Sequence, residues 1–278
     1  MPPEIPSANS YVLGHSSEEL DRLIAQGRFF GDLTEHFLRQ AGIRDGMRVL
    51  DLGCGAGDVA FLAARLVGPA GAVLGIDPSA ESIAAASRRA ETAGLSNVAF
   101  AVSDAAKFTT DTPVDALIGR LVLMYFPDPA AALRHLAAFV KPHGIVAFQE
   151  FDLDGVTTEP PCPLIELAVD RVRQTFVRVG AEIRMGLKLG RVIEDAGLPT
   201  PEMLLAARIE RGSDAMAYRQ IAEITRTLLP AMEKTGVATA EAVGIDTLAS
   251  RLREEAVALK ATLVSPPLIG AWTRKPGT

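Results

Sequence analysis

Three glycines within ten residues carry the clearest chemical signal in this sequence. Residues 49–58 read Val-Leu-Asp-Leu-Gly-Cys-Gly-Ala-Gly-Asp, and they pass from a short apolar run into an amphipathic helical pattern. Glycine adopts backbone angles that other residues avoid, and its missing side chain lets a flat ligand approach the main chain closely. Gly53, Gly55 and Gly57 therefore predict a turn between strand and helix that forms the floor of a nucleotide-binding site.

Two aspartates follow the next two predicted strands at positions suited to a nucleoside. Asp77 lies at the end of the second strand, where a carboxylate can accept hydrogen bonds from both hydroxyls of a ribose. Asp104 comes directly after the third strand, where it could accept a bond from an exocyclic adenine amine. The alternatives are structural: Asp77 could cap the helix that begins near Ser79, and Asp104 could close a turn.

The elements that must position these residues alternate between strand and helix, as in a parallel sheet covered on both faces. The predicted strands are 47–52, 72–76, 98–102, 114–121, 145–151, 203–209 and 268–273. The predicted helices are 80–93, 128–140, 164–179 and 187–196, and residues 214–262 are expected to be mostly helical. Two amphipathic runs before residue 43 predict two N-terminal helices, which either lie over the ligand-binding edge of the sheet or pad its face.

This pattern divides the chain into three parts. Residues 1–45 form a tail and lid helices, and residues 46–152 form the cofactor-binding core. Residues 153–278 supply cap helices, inserted at 153–200 and 211–264, together with the last strands of the sheet.

Composition restricts the classes of partner. The chain has 278 residues, 48% of them hydrophobic, which is enough for a sizeable core. No uninterrupted apolar run reaches the ~18 residues of a spanning helix, so no stable membrane insertion is expected. The N-terminal sequence lacks the features of a signal peptide, and a cytoplasmic protein, monomeric or homodimeric, is expected. The net charge of -6 gives no broad basic surface, so no nucleic-acid partner is expected.

Neither the cysteines nor the histidines predict a metal site. Cys54 and Cys162 belong to no Cys-x-x-Cys pair, and we expect reduced thiols. The four histidines are scattered, without the spacing of a zinc site.

Several ordered motifs together resemble a known family. The glycine loop, Gly-Ile-Asp-Pro-Ser at 75–79, Ser-Asp-Ala at 103–105 and the strand at 114–121 resemble class I S-adenosylmethionine-dependent methyltransferases. Within them the chain is most similar to the small-molecule group that contains the ubiquinone and menaquinone biosynthesis enzymes. The resemblance covers about residues 47–152 and implies an α/β fold. That fold is a Rossmann-like, doubly wound, seven-stranded and mostly parallel sheet with a helical N-terminal lid and helical cap insertions.

The resemblance also implies the ligands and the residues that bind them. The cofactor would be S-adenosyl-L-methionine, and the acceptor an O, N or C atom of a small, fairly apolar metabolite. The methionine part of the cofactor would be bordered by Asp51, Gly53, Cys54, Gly55, Gly119 and Arg120. Asp77 would bind the ribose, Pro78 would pack near the adenine, and Asp104 and Ala105 would meet the adenine edge, while Tyr11 and Gln26 would close over the cofactor. Arg120 stands where the family often has a small or polar residue, so it would contact the cofactor carboxylate, a substrate anion or a nearby acid.

Catalysis of this kind depends mainly on in-line positioning and the exclusion of water. A general base is needed only if the acceptor keeps its proton. The candidates are Glu150, at the end of the fifth predicted strand, and His15, ahead of the first helix. The alternatives are a solvated turn carboxylate for Glu150 and a capping or surface role for His15.

Two rival functions stay open. A nicotinamide oxidoreductase is disfavoured because Asp58 occupies the third glycine position of a GxGxxG motif started at Gly53, where a carboxylate would repel a pyrophosphate. A regulatory protein that binds the cofactor without turnover would show the same sequence features.

Overall fold

The computed structural model describes residues 17–277, apart from the side chains of residues 17–21, 23 and 28. Its strands are β1 (Arg48–Leu52), β2 (Ala72–Asp77), β3 (Val98–Val102), β4 (Val114–Arg120), β5 (Val140–Phe151), β6 (Thr157–Glu159), β7 (Glu202–Ala206), β8 (Ile209–Arg211), β9 (Thr262–Val264) and β10 (Leu268–Arg274). Its helices are α1 (Ser17–Ala41), α2 (Asp58–Val67), α3 (Ala80–Thr92), α4 (Pro129–Ala137), α5 (Pro163–Arg178), α6 (Met185–Asp195), α7 (Ala217–Lys234), α8 (Ala240–Val243) and α9 (Leu248–Ala258).

Seven strands of residues 17–277 form one sheet in the order β3-β2-β1-β4-β5-β10-β7. Strands β1 to β5 run parallel, whereas β10 is antiparallel to both β5 and β7. This arrangement confirms the predicted Rossmann-like, mostly parallel sheet. The strand order reverses between β1 and β4, and in open α/β sheets ligands bind at that point, beyond the carboxyl ends of the strands.

Helices cover both faces of this sheet. Alternate residues of each central strand point to opposite faces, and the side chains on both faces are apolar and buried. Val49 and Ile118 pack with apolar residues of α1 and α2. Leu50 and Leu117, their neighbours along the strands, pack with α4 and α6 on the other face. All four side chains are fully buried, so the central strands are fixed from both sides.

The N-terminal prediction was wrong in its number of helices. A single helix, α1, runs through the whole segment from Ser17 to Ala41. Gly27, in its middle, faces the start of α2: a Cβ there would lie 2.5 Å from Cγ of Asp58. The glycine therefore permits close packing of two helices and does not end one.

The strand predicted at 203–209 is also corrected. It is two strands, since β7 pairs with β10 in the main sheet whereas β8 pairs with β9. The chain changes sheets at Arg208, whose backbone exchanges hydrogen bonds of 2.9 Å with the Ser265 side chain and amide. Strands β6, β9 and β8 form a small antiparallel sheet that the sequence pattern did not predict.

The segment after residue 152 only partly forms a cap. Helices α5, α7 and α9 pack against one another, as expected for a helical cap. Helix α6 instead lies on the main sheet, where a Cβ on Gly186 would be 2.8 Å from the backbone oxygen of Glu150. The division at 45 and 152 stays a prediction. None of the helices in the described part of the chain is long and apolar enough to cross a membrane.

Candidate cofactor and acceptor site

The glycine loop leaves β1 and enters α2 through three residues with positive φ. The φ angles are 64° at Gly53, 50° at Gly55 and 90° at Gly57, all in the region that side chains disfavour. A Cβ on Gly53 would lie only 2.4 Å from Cγ2 of Val122, so the loop is also closely packed from above. The turn thus needs glycine for its conformation, as the sequence predicted, and at Gly53 also for the space that Val122 occupies; close approach of a ligand stays a prediction.

Asp77 joins this loop to the next strand and helix. Its Oδ2 accepts a hydrogen bond of 3.0 Å from the Gly55 amide, and its Oδ1 accepts one of 2.9 Å from the Ser79 amide. The side chain lines the cavity above the loop, next to Pro78. The carboxylate therefore fixes the loop and lies where the ribose was predicted; its contact with a ribose stays a prediction.

Asp104 and Ala105 follow β3 and line the same cavity. The Asp104 Oδ1 accepts a hydrogen bond of 2.9 Å from the Ala106 amide, which closes the turn. The structural alternative and the predicted adenine contact are therefore compatible, because the turn holds the side chain at the cavity wall.

Asp51 is the most unusual polar group of the site. Its side chain is 1% exposed and does not line the cavity, and neither carboxylate oxygen has a hydrogen-bond partner among the described residues. Burial raises the pKa of Asp51 to about 8, although the guanidinium of Arg120 opposes this shift. A buried carboxyl without a partner is costly, and a cationic group nearby would relieve that cost.

Arg120 supplies a cation to the polar end of the cavity. It is the last residue of β4, and its Nη1 donates a hydrogen bond of 3.0 Å to Oγ1 of Thr34 on α1. Thr34 in turn donates a bond of 2.8 Å to Oε1 of Gln149. Burial lowers the pKa of Arg120, whereas Asp58 and Asp51 raise it. The guanidinium is thus held between α1 and the sheet and faces two acids.

Of the other predicted cofactor residues, some line the cavity and some do not. Cys54 is buried but reaches the cavity, as does Gln26 of α1. Gly119 lies within β4, away from the cavity wall, and a Cβ there would be 2.6 Å from Cε1 of Phe148. Tyr11 and His15 lie outside the described residues.

Glu150 does not line the cavity. It is completely buried, and its Oε1 accepts hydrogen bonds of 2.9 Å and 2.7 Å from the amides of Val122 and Leu123. Burial raises the pKa of Glu150 to about 8, against the effect of these amides. The solvated alternative was therefore wrong, and the role of Glu150 in proton transfer stays a prediction.

The cavity continues from the glycine loop into an apolar chamber between the sheet edge and the cap helices, most of whose wall residues the sequence did not identify. The whole cavity has a volume of about 630 Å³, within the usual range for small-molecule sites. We call its apolar part the acceptor chamber, after the role that we propose for it; its walls come from α1, the segment after β4, the end of β5 and the residues that follow it, the cap helices, β9 and the segment between β9 and β10. They are Phe29, Phe30, Val122, Met124, Tyr125, Phe126, Phe151, Leu153, Val156, Val169, Val172, Phe176, Ala217, Gln220, Ile221, Ile224, Leu263, Ser265 and Pro266.

In the sequence, the signal that could have identified some of these wall residues is their helical spacing. Val169, Val172 and Phe176 recur at intervals of three and four on α5, as do Ala217, Ile221 and Ile224 on α7. That spacing marks an apolar face without saying whether it borders a core or a cavity. Within the described residues, no group of three or more histidine, cysteine, aspartate or glutamate side chains could hold a metal ion.

Comparisons with known proteins agree with this architecture. A family model described as "Methyltransferase domain" matches residues 43–197. An uncharacterized 37.1 kDa protein in a transposon of Streptomyces fradiae is 33% identical over 185 residues, covering 66% of this chain and 52% of the relative. Aklanonic acid methyltransferase of Streptomyces sp. strain C5 is 35% identical over 139 residues, which cover 48% of this chain and 60% of the relative. The chain thus spans a little over half the length of these two curated relatives.

A solved structure extends the likeness to most of the chain. The phosphoethanolamine N-methyltransferase 2 of Haemonchus contortus was solved with phosphomonomethylethanolamine and S-adenosylhomocysteine. Its TM-score is 0.54 at 18% identity, with 88% of this chain and 52% of the other covered, and this likeness concerns the fold alone. Since the family model covers more than half of the residues, the chain belongs to the methyltransferase-domain family, within the class I S-adenosylmethionine-dependent methyltransferases.

Proposed function

We propose that this chain transfers a methyl group from S-adenosylmethionine to a small, largely apolar acceptor. The observation that carries the proposal is the cavity, whose polar half contains the glycine loop, Asp77 and Asp104 and whose other half is the acceptor chamber. One cavity therefore offers adjoining places for a nucleoside cofactor and an apolar molecule. This juxtaposition is what direct transfer between two bound substrates requires.

The residues present fit this cofactor. When bound, S-adenosylmethionine supplies a methyl group that its sulfonium has already activated. Arg120, at the cavity wall, suits the carboxylate of the methionine part, and the buried Asp51 beneath the loop would favour the nearby ammonium through its charge without lining the cavity. Gly53, Cys54 and Gly55 of the loop line the cavity and would border the methionine part. Asp77 and Asp104 would bind the ribose hydroxyls and the adenine amine, with Gln26 above them.

The acceptor chamber would orient its ligand by shape and exclude water. Tyr125 is the only ionisable side chain among the residues named above as its walls, and the buried Arg22 of α1 lines the same cavity. None of these residues is a histidine, aspartate, glutamate or lysine that could remove a proton at neutral pH. We therefore propose that the acceptor is uncharged over most of its surface and reacts through an atom that is already nucleophilic. His15 stays a candidate base outside the described residues.

The test is turnover against a panel of acceptors. Phenols, amines and quinol precursors of graded size are incubated with S-adenosylmethionine, and S-adenosylhomocysteine is quantified. We expect product with apolar aromatic acceptors and little with small charged ones. Tight cofactor binding with no product from any acceptor would contradict the proposal and favour a regulatory protein without turnover.

A further inference from the structure

One short segment borders both halves of the cavity. Residues 121–126, which we call the β4 loop, follow the last residue of β4. On one side, Val122 presses against the glycine loop, 2.4 Å from where a Cβ of Gly53 would be. On the other side, Met124, Tyr125 and Phe126 line the acceptor chamber. The conformation of this loop therefore affects the cofactor place and the acceptor place together.

The β4 loop begins in an unfavourable backbone conformation. Leu121 has a φ of 55°, in the left-handed region, which residues with a side chain disfavour. Its amide donates a hydrogen bond of 2.9 Å to the backbone oxygen of Gln149. Such a conformation persists only where the surrounding contacts enforce it.

Glu150 provides the contacts that follow this turn. The amides of Val122 and Leu123 both donate to its Oε1, at 2.9 Å and 2.7 Å. The later amides of the loop bond within it: Tyr125 donates to the backbone oxygen of Val122, and Phe126 to that of Leu123. The loop thus closes its own turn, and the bonds from Glu150 anchor that turn to β5.

The position of Glu150 separates this role from acid–base catalysis. The side chain is 0% exposed and lies beneath the β4 loop, outside the cavity wall. Its other oxygen, Oε2, is buried and has no hydrogen-bond partner among the described residues. A carboxyl group that touches neither cavity half can act on the ligands only through the backbone it holds.

We infer that Glu150 is a positioning residue, which fixes the β4 loop through the amides of Val122 and Leu123 and so sets the cofactor place and the acceptor chamber at once. The effect on ligands rests on the proposed function, whereas the effect on the loop does not. Removing the carboxyl frees two amides and relaxes Leu121, and replacing it with an amide of the same shape keeps an acceptor at Oε1.

The experiment combines amide hydrogen exchange with binding of S-adenosylhomocysteine by the full chain. Exchange at Val122 and Leu123 is followed in the wild type and in the Glu150→Ala and Glu150→Gln variants, and calorimetry gives the affinity of each. In the wild type both amides are expected to be protected. In Glu150→Ala they exchange at least about tenfold faster and the affinity falls about tenfold or more. Glu150→Gln keeps the protection and stays within about threefold of the wild-type affinity.

The alternatives give different results. A proton-transfer role predicts unchanged exchange and affinity in both variants, which would overturn the inference. Unprotected amides in the wild type, or a Glu150→Gln variant as impaired as Glu150→Ala, would overturn it as well. If Glu150→Ala does not fold, amide exchange and affinity in the wild type and in Glu150→Gln still test the inference. If the wild type binds no S-adenosylhomocysteine, the proposed function fails while exchange still tests the loop.

Discussion

Replacing Gly53 with alanine should damage both the stability and the cofactor affinity of this protein. The residue has a φ of 64°, and a Cβ there would lie 2.4 Å from Cγ2 of Val122 and 3.0 Å from its Cβ. Alanine in the left-handed region costs about 1–2 kcal/mol. Overpacking against Val122 adds about 1–3 kcal/mol. We therefore expect Gly53→Ala to lower the free energy of unfolding by about 2–5 kcal/mol.

Gly94 provides a matched control. Its φ is 65°, but no heavy atom lies within 4 Å of the position of its Cβ. Gly94→Ala should therefore show the conformational cost alone, about 1–2 kcal/mol, with unchanged cofactor affinity. Adding Val122→Ala to Gly53→Ala should recover part of the difference, as expected for residues in contact.

The assays are urea unfolding at equilibrium and calorimetric titration with S-adenosylhomocysteine. Gly53→Ala should lower the affinity by at least about tenfold, equal to about 1.4 kcal/mol, because the loop must move to admit the methyl group. Equal destabilisation by Gly53→Ala and Gly94→Ala, with equal affinities, would refute the packing that places Val122 on the loop.

Three further predictions concern the polar groups and the acceptor chamber. Asp77→Ala should weaken binding of S-adenosylhomocysteine by about 1–3 kcal/mol, and an unchanged affinity in calorimetry would exclude its role at the ribose. Burial raises the pKa of Asp51 and of Glu150 to about 8, so their contribution to stability is full below the pKa of the unfolded chain and is lost as the pH rises through about 8. The free energy of urea unfolding should thus fall as the pH rises from 5 to 8, and Asp51→Asn should make this fall shallower; an unaltered slope would contradict the prediction. Ile224→Trp should fill the chamber and abolish turnover while S-adenosylhomocysteine still binds, whereas Val257→Trp, at an exposed position of α9, should leave both unchanged.

The grouping of the glycine loop with Asp77 and Asp104 could be predicted from the sequence because its determinants are local. The glycines of the loop lie within five residues, Asp77 is the last residue of β2, and Asp104 lies two residues after β3. In a parallel sheet those ends meet at one edge, so the strand pattern alone brings the loop and the two acids together.

The acceptor chamber could not be predicted in this way because it depends on contacts between distant segments. Helices α5 and α7 show apolar faces whose spacing fits a core as well as a cavity. The change of sheet at Arg208 depends on its pairing with Ser265, which lies 57 residues away. The local sequence pattern therefore predicted one strand where the structure has β7 and β8.

The prediction for Glu150 depended on the direction of its side chain. Glu150 was placed at the correct end of β5, but strand alternation and the β4 loop turn it beneath the cavity. The two amphipathic runs predicted as separate helices form the single helix α1, within which packing of Gly27 against Asp58 overrides the weak helix propensity of glycine, about 1 kcal/mol.

The most direct test of the central claim is calorimetric titration of the same preparation with S-adenosylmethionine and, separately, with NAD. The acid at position 58, the buried Asp51 and the carboxylates beyond β2 and β3 predict saturable binding of S-adenosylmethionine and no binding of NAD. Tight binding of NAD without binding of S-adenosylmethionine would contradict the assignment of the cavity.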